Sequence, residues 1–438
     1  MATQSSSKNK LGLWTTTSLV VGNMVGVGIF MLPAALSSFG GISLLGWMLS
    51  AIGAIAIATV FSKASRLLPN INGGPYAFTR YAFGDFAGFL VAWGYWISVW
   101  TTNATIAVSL VGGLSVFFPG LATNSVSAVI TGLSAIWFLT WINTRGVIVS
   151  GKLQLFTTIL KLIPLISVAV FGLFFIRREN FTPFNISGTT AISAITASAT
   201  MTLFAFLGIE CATIPAGHVE RPEKIVPRAT MIGTLVSTVV YILATLSVMG
   251  MIPPKLLQRS VTPVADAAAI IWGEHARYWV GAGVVLAAFG ALNGWILVQG
   301  QIPFAIAKDK LFPGIFGREN KKGTPAAAIL ISSVIASVFM MMNYTKALVQ
   351  QFKFMLLIST LSALVPYILV AASYVIIAID RKEMNAKTWK KIIFPASLAF
   401  LFSLLAIIGA GMEAVFWGFI LLLAGVPFYV WIRWKKDQ

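Results

Sequence analysis

Charge is what this chain has least of. Only 10% of its 438 residues are Asp, Glu, Lys or Arg, against roughly 25% in a soluble globular chain. That excludes a water-soluble fold of this length. Cysteine is nearly missing: the single Cys211 rules out an intramolecular disulfide and a cysteine-based metal cluster. The two histidines, His218 and His275, stand too far apart in sequence to form a ligand pattern. Acidic residues number 13 against 31 basic ones, a formal net charge of +18. In so apolar a chain this excess reads as the Lys/Arg bias of cytoplasmic loops, not as a nucleic-acid surface. No HExxH, GxSxG or acidic metal motif occurs. Enzyme chemistry, a metal and a cofactor are therefore not expected.

What the chain has in quantity is apolar length. Hydrophobic residues make up 58% of it, and its mean hydropathy is +0.87. Apolar runs recur near 13–36, 42–65, 86–117, 124–145, 152–176, 192–217, 229–252, 276–306, 325–343, 354–379, 392–411 and 413–432. Each is near the ~20 residues that cross a bilayer core, giving about twelve spans. The expected class is an all-α polytopic membrane protein. The polar leader, residues 1–12, precedes a run too long for a signal-peptide core, and no small-residue cleavage site follows it. No cleavable signal is therefore expected. With the N-terminus inside, the loop-side Lys and Arg divide about three to one toward the cytoplasm, which places both termini there. The loops reach only ~15–25 residues, too short to fold alone.

Within the spans, three features call for an explanation. The first is "GNMVGVGIF" (22–30), with Gly22, Gly26 and Gly28 inside one apolar run. A helix-interior glycine costs up to ~1 kcal/mol relative to alanine. Two readings stand: close helix packing by small residues, or a deliberately broken helix lining a site. The second is Gly208 in "TLFAFLGIECAT" (202–213), in the corresponding span if spans 1–5 and 6–10 are inverted repeats. Matched interruptions in two halves favour a transport site. The third is a pair of ionisable residues deep in the membrane. Glu210 is a carboxylate at a depth where charge costs at least ~2.5 kcal/mol. Lys161 in span 5 could neutralise Glu210, replace a bound cation or carry a proton. Snorkelling is a poor account of Lys161, because about nine residues separate it from the nearer span end at Lys152.

Together these stretches resemble the amino acid–polyamine–organocation transporters. "GNMVGVGIF" resembles their unwound first span, and "NGGPYAFTRYAFG" (72–84) the segment between spans two and three. "FLGIECATIPAGHVERPEKIVPRATMIG" (206–233) resembles the broken sixth span and its following loop. "GTPAAAILI" (323–331) and "LVPYILVAA" (364–372) match later stretches. The resemblance covers nearly the whole chain. It is nearest the bacterial arginine/agmatine antiporters, then the putrescine–ornithine and cadaverine–lysine antiporters.

The resemblance implies twelve helices with a five-plus-five inverted repeat (13–176 and 192–379), two additional helices (392–432), and broken helices 1 and 6. It also implies alternating access. Gly26, Val27 and Gly28 would meet the substrate carboxylate. Carbonyls near Met24, Phe204 and Leu207 would accept from its α-ammonium. Asn103, Trp295 and Ser359 would contact its side chain. Tyr95 and Tyr367 would gate, and Glu210 would answer pH. In three places the chain departs from the subgroup: Val27 stands for Ser, Phe204 for Trp, and Lys161 for a small apolar residue. A lysine at that place resembles sodium-independent members outside the subgroup, where the ammonium replaces a sodium ion. The reading is an inner-membrane amino acid antiporter, with arginine/agmatine as lead substrates. The alternative is a proton-coupled, sodium-independent symporter of broader or neutral specificity. The expected partners are a small amino acid or amine and the lipid bilayer; a homodimer is left open.

Overall fold

The computed structural model describes residues 11–26, 28–69, 73–145, 160–214, 216, 219–343 and 345–436. Val27 and Lys152 lie outside the described residues. The molecule is helical, and no β-strand occurs among the described residues beyond a single bridge between Leu11 and Val219.

Ten helices are long and apolar enough to cross a membrane. They are Leu13–Leu36, Ser43–Leu67, Pro75–Leu114, Ser125–Asn143, Ala191–Ala212, Pro222–Met251, Glu274–Lys308, Leu348–Asp380, Trp389–Gly409 and Met412–Lys435. Two shorter apolar helices, Leu160–Phe175 and Ala326–Met341, stand where the fifth and ninth spans are expected. Counting them in, the spans are numbered 1 to 12 in chain order. The short helix Pro263–Trp272, between spans 7 and 8, was not anticipated.

Several boundaries differ from the hydropathy reading, for one reason. Hydropathy marks where a chain is apolar, whereas a helix continues past the apolar stretch if its polar end is well started. Span 7 begins at Pro222, not near 229, with proline at its first position and Glu223 in its first turn. Span 3 begins at Pro75, not near 86. Gly84, at φ 82°, bends it between a short leading helix and the long apolar one. At this bend Arg80 pairs with Asp85 at 2.8 Å and with Asp309, at the end of span 8, at 2.9 Å. The Tyr76 hydroxyl also donates to Asp309, at 2.8 Å.

Long-range packing groups the spans around the breaks. Span 3 lies along spans 8 and 10, span 2 along spans 6 and 7, and the first half of span 1 along span 7. Several hydroxyl side chains inside this bundle are satisfied locally. Thr101, Thr105, Thr234 and Ser337, for example, each donate to the carbonyl four residues back. That suits a medium in which an unpartnered polar group costs several kcal/mol.

Spans 1 and 6 are both interrupted. Span 1 is helical over Leu13–Met24 and again over Gly28–Leu36. Span 6 is helical over Ala191–Leu203, then tightens into 3-10 turns at Phe204–Phe206 and Ile209–Ala212. Gly208 lies between those turns at φ 108°, a conformation that glycine adopts without the steric cost of a Cβ. A Cβ there would also come within 3.1 Å of the Asn23 Cβ and 3.3 Å of the Met24 nitrogen. The two breaks therefore cross in contact, backbone against backbone.

Candidate substrate site

A helix that stops leaves its last four carbonyls without intrahelical partners. At the end of the first half of span 1, all four find one. Val21 accepts from the Val25 N–H at 2.8 Å, and Met24 from the Gly26 N–H at 2.6 Å. Asn23 accepts from the Trp295 indole of span 8 at 3.3 Å. Gly22 accepts from the Lys161 ammonium of span 5. A cation at a helix C-terminus also meets the negative end of the helix dipole. Of the three roles open to Lys161 in the sequence, direct pairing with Glu210 is not what the described residues show; its partner is the broken helix itself.

Beyond this end lies a narrow cavity. It is lined by Asn23, Met24, Gly26 and Gly28 of span 1, and by Thr102 and Ile106 of span 3. Phe204, Ala205 and Leu207 of span 6 and Trp295 of span 8 complete it. Six residues expected at the substrate thus share one cavity: Met24, Gly26, Gly28, Phe204, Leu207 and Trp295. The Phe204 ring closes over span 1 so tightly that a Cβ on Gly28 would sit 2.8 Å from it. The ring meets Phe352 edge-on behind, with centroids 6.2 Å apart. The Gly26 N–H, expected to face a carboxylate, is committed to Met24 in this conformation. The second half of span 1 begins at Gly28 with its first-turn N–H groups lacking intrahelical acceptors.

The remaining expected residues stand one layer out. Asn103 donates to Gln299 at 2.7 Å, and Gln299 passes the chain on to Ser333 at 2.7 Å. Ser359 donates to the Ser98 carbonyl at 3.0 Å and shares a hydrogen bond with Thr102, which does line the cavity. Tyr95 and Tyr367 converge on Glu210, donating to its two carboxylate oxygens at 2.5 and 2.8 Å. Glu210 is fully buried, the one carboxylate so placed among the described residues. One side chain thereby ties spans 3, 6 and 10 together. The sequence reading missed Asn23, Thr102, Ile106 and Ala205. The polar run "TTNAT" (101–105) in the middle of span 3 carried the signal for Thr102.

Chemically, the cavity offers backbone N–H and C=O groups at two helix breaks, one threonine hydroxyl, and aromatic faces from Phe204 and Trp295. None of its lining residues is acidic or basic. Backbone groups at helix breaks can hold the charged ends of a small molecule, and aromatic faces can hold a cationic tail. Two interrupted membrane helices meet at this narrow cavity, the arrangement expected of a transporter. The chain belongs to the amino acid permease family, whose model matches residues 11–430. It is similar to a Bacillus subtilis (strain 168) protein whose name assigns it arginine/ornithine antiport. They are 34% identical over 83% of each chain. It is 29% identical, over 99% of each chain, to a putrescine transporter of Haemophilus influenzae (strain ATCC 51907 / DSM 11121 / KW20 / Rd). It is 35% identical to the cadaverine/lysine antiporter of Escherichia coli (strain K12), over 77% of this chain and 76% of that one.

Proposed function

We propose that the protein is an inner-membrane antiporter that exchanges a basic amino acid for a related amino acid or amine, with both termini in the cytoplasm. The observation that carries this is the cavity at the crossing of the two breaks, bounded by the Trp295 indole. The names of two relatives, which give arginine/ornithine and cadaverine/lysine antiport, support it. Arginine with agmatine is the lead pair; ornithine, lysine and the diamines are the nearest substitutes. In this reading the substrate carboxylate docks on the N–H groups around Gly26, Val27 and Gly28. Its ammonium meets carbonyls near Met24, Phe204 and Leu207, and its cationic tail lies against Trp295. Asn103 and Ser359 act through Gln299 and Thr102. The repeats 13–176 and 192–379 rock about this point, with Phe204 closing one side and Tyr95 and Tyr367 responding to Glu210.

Reconstituted vesicles test the reading. Labelled arginine is expected to enter vesicles preloaded with agmatine, ornithine or arginine, and not empty ones. Removing sodium is expected to change nothing, because the Lys161 amine already fills the place beside the span-1 carbonyl of Gly22. A second reading rests on the full burial of Lys161 and Glu210: proton-coupled uptake. It predicts filling of empty vesicles under an inward proton gradient, and that result would displace antiport.

Trp295→Ala removes both the aromatic wall and the donor to Asn23. Cation–π contacts contribute about 0.5–2 kcal/mol, so arginine affinity is expected to fall about tenfold, read from competition against labelled substrate. Unchanged affinity would take Trp295 out of the site.

A further inference from the structure

Spans 2 and 11 meet tightly at one level, where a Cβ on Gly53 would fall inside the Phe402 ring contact, at 2.1 Å. Toward the basic end of the bundle they diverge into an open cleft of about 450 Å³. Its walls are apolar: Ile52 and Ile55 on span 2, Phe394 and Leu398 on span 11. Phe394 is 71% exposed and Ile52 52% exposed, so the cleft faces the surroundings of the bundle and not its interior. Its end is lined by Lys63, Lys390 and Lys391. Lys63 donates to the Lys391 carbonyl at 2.7 Å, which holds the two spans together across the cleft end. Among the described residues no carboxylate pairs with any of the three. Lys390 and Lys391 also open span 11, where the positive end of the helix dipole adds to their charge.

Three ammonium groups without a carboxylate partner, at the mouth of an apolar, outward-facing groove, suit an anion that carries its own hydrocarbon. We propose that this cleft binds one anionic phospholipid. Its phosphate lies among Lys63, Lys390 and Lys391, and its acyl chain runs along Ile52, Ile55, Phe394 and Leu398. A zwitterionic phospholipid brings a competing cation to the same place. A second copy of the chain would bring the same three lysines against these, a like-charge contact. The cleft backs onto the transport machinery. Span 2 and span 11 both pack on the first half of span 6, and Thr200 of span 6 donates to the Ala406 carbonyl of span 11 at 2.7 Å.

The test is native mass spectrometry of the full-length protein in detergent, titrated with dioleoyl-phosphatidylglycerol or dioleoyl-phosphatidylcholine. The anionic lipid is expected to bind at lower concentration. Lys63→Gln/Lys390→Gln/Lys391→Gln is expected to weaken it about tenfold or more, while leaving the zwitterionic lipid as it was. Thr59→Phe, which fills the groove from span 2, is expected to weaken both. The exposed pair Lys321→Gln/Lys322→Gln, elsewhere on the same basic side, is expected to change neither. Should the triple variant not fold, Lys390→Gln/Lys391→Gln alters exposed side chains alone and carries the same expectation. Equal binding of the two lipids overturns the proposal, as does undiminished binding by the lysine variants or an equal loss in the Lys321/Lys322 control. A lipid-free dimer that Thr59→Phe dissolves would make the cleft a contact between copies and overturn it too.

Discussion

Glu210→Ala is expected to abolish exchange and to lower the thermal stability of the purified protein, whereas Glu210→Gln keeps the fold and loses most of the exchange. The difference follows from the hydrogen bonds. Alanine leaves the Tyr95 and Tyr367 hydroxyls buried without an acceptor. Each such orphan costs about 1–3 kcal/mol. Glutamine keeps one carbonyl oxygen for one tyrosine, and its amide can donate to the other, since a hydroxyl also accepts. What glutamine cannot do is carry charge or exchange a proton. Thermal denaturation separates the structural loss from the functional one. Full exchange by Glu210→Gln, with an unaltered pH profile, would remove Glu210 from coupling and leave it as a structural tie between spans 3, 6 and 10.

Lys161→Met is expected to have an effect of similar size by a different route. Methionine matches lysine roughly in length and packs in apolar surroundings, but it leaves the Gly22 carbonyl without its donor. In a medium with no water to replace it, an unpartnered backbone group costs several kcal/mol. The first half of span 1 should then reseat, and exchange should fall more than about tenfold, since each 1.36 kcal/mol is a factor of ten in rate. Lys161→Arg is expected to rescue poorly, because a planar guanidinium does not replace a compact ammonium donor at one carbonyl. Exchange rates in vesicles, normalised to reconstituted protein, give the answer. A Lys161→Met protein with normal exchange would show that the broken end needs no cap.

These residues also mark how far a sequence can be read. The two breaks were visible because a glycine in a membrane helix is costly and has to be accounted for. Glu210 and Lys161 were visible for the same reason: charge at that depth needs a cause. Their partners were not visible. Lys161 had three candidate roles, and only folding brings the Gly22 carbonyl to its ammonium from 139 residues away. The Tyr95 and Tyr367 hydroxyls likewise meet Glu210 from spans distant in sequence. Face assignment was the other limit. Thr102 lines the cavity while Asn103, about 100° further round the same helix, turns to Gln299. Hydropathy does not distinguish neighbouring polar residues in an otherwise apolar helix that is buried on all sides.

The contacts of Arg80 have a kinetic meaning. Its guanidinium, Asp85 and Asp309 are 33%, 30% and 43% exposed, so water and salt reach them. Pairs of this kind contribute at most about 1 kcal/mol each, little more than thermal energy. They join the bend at Gly84 to the end of span 8, two elements that both reach the cavity further along. A clasp this weak settles a resting shape without trapping it. Such a clasp is expected to release and re-form in each turnover, which a buried ion pair of equal geometry would make slow.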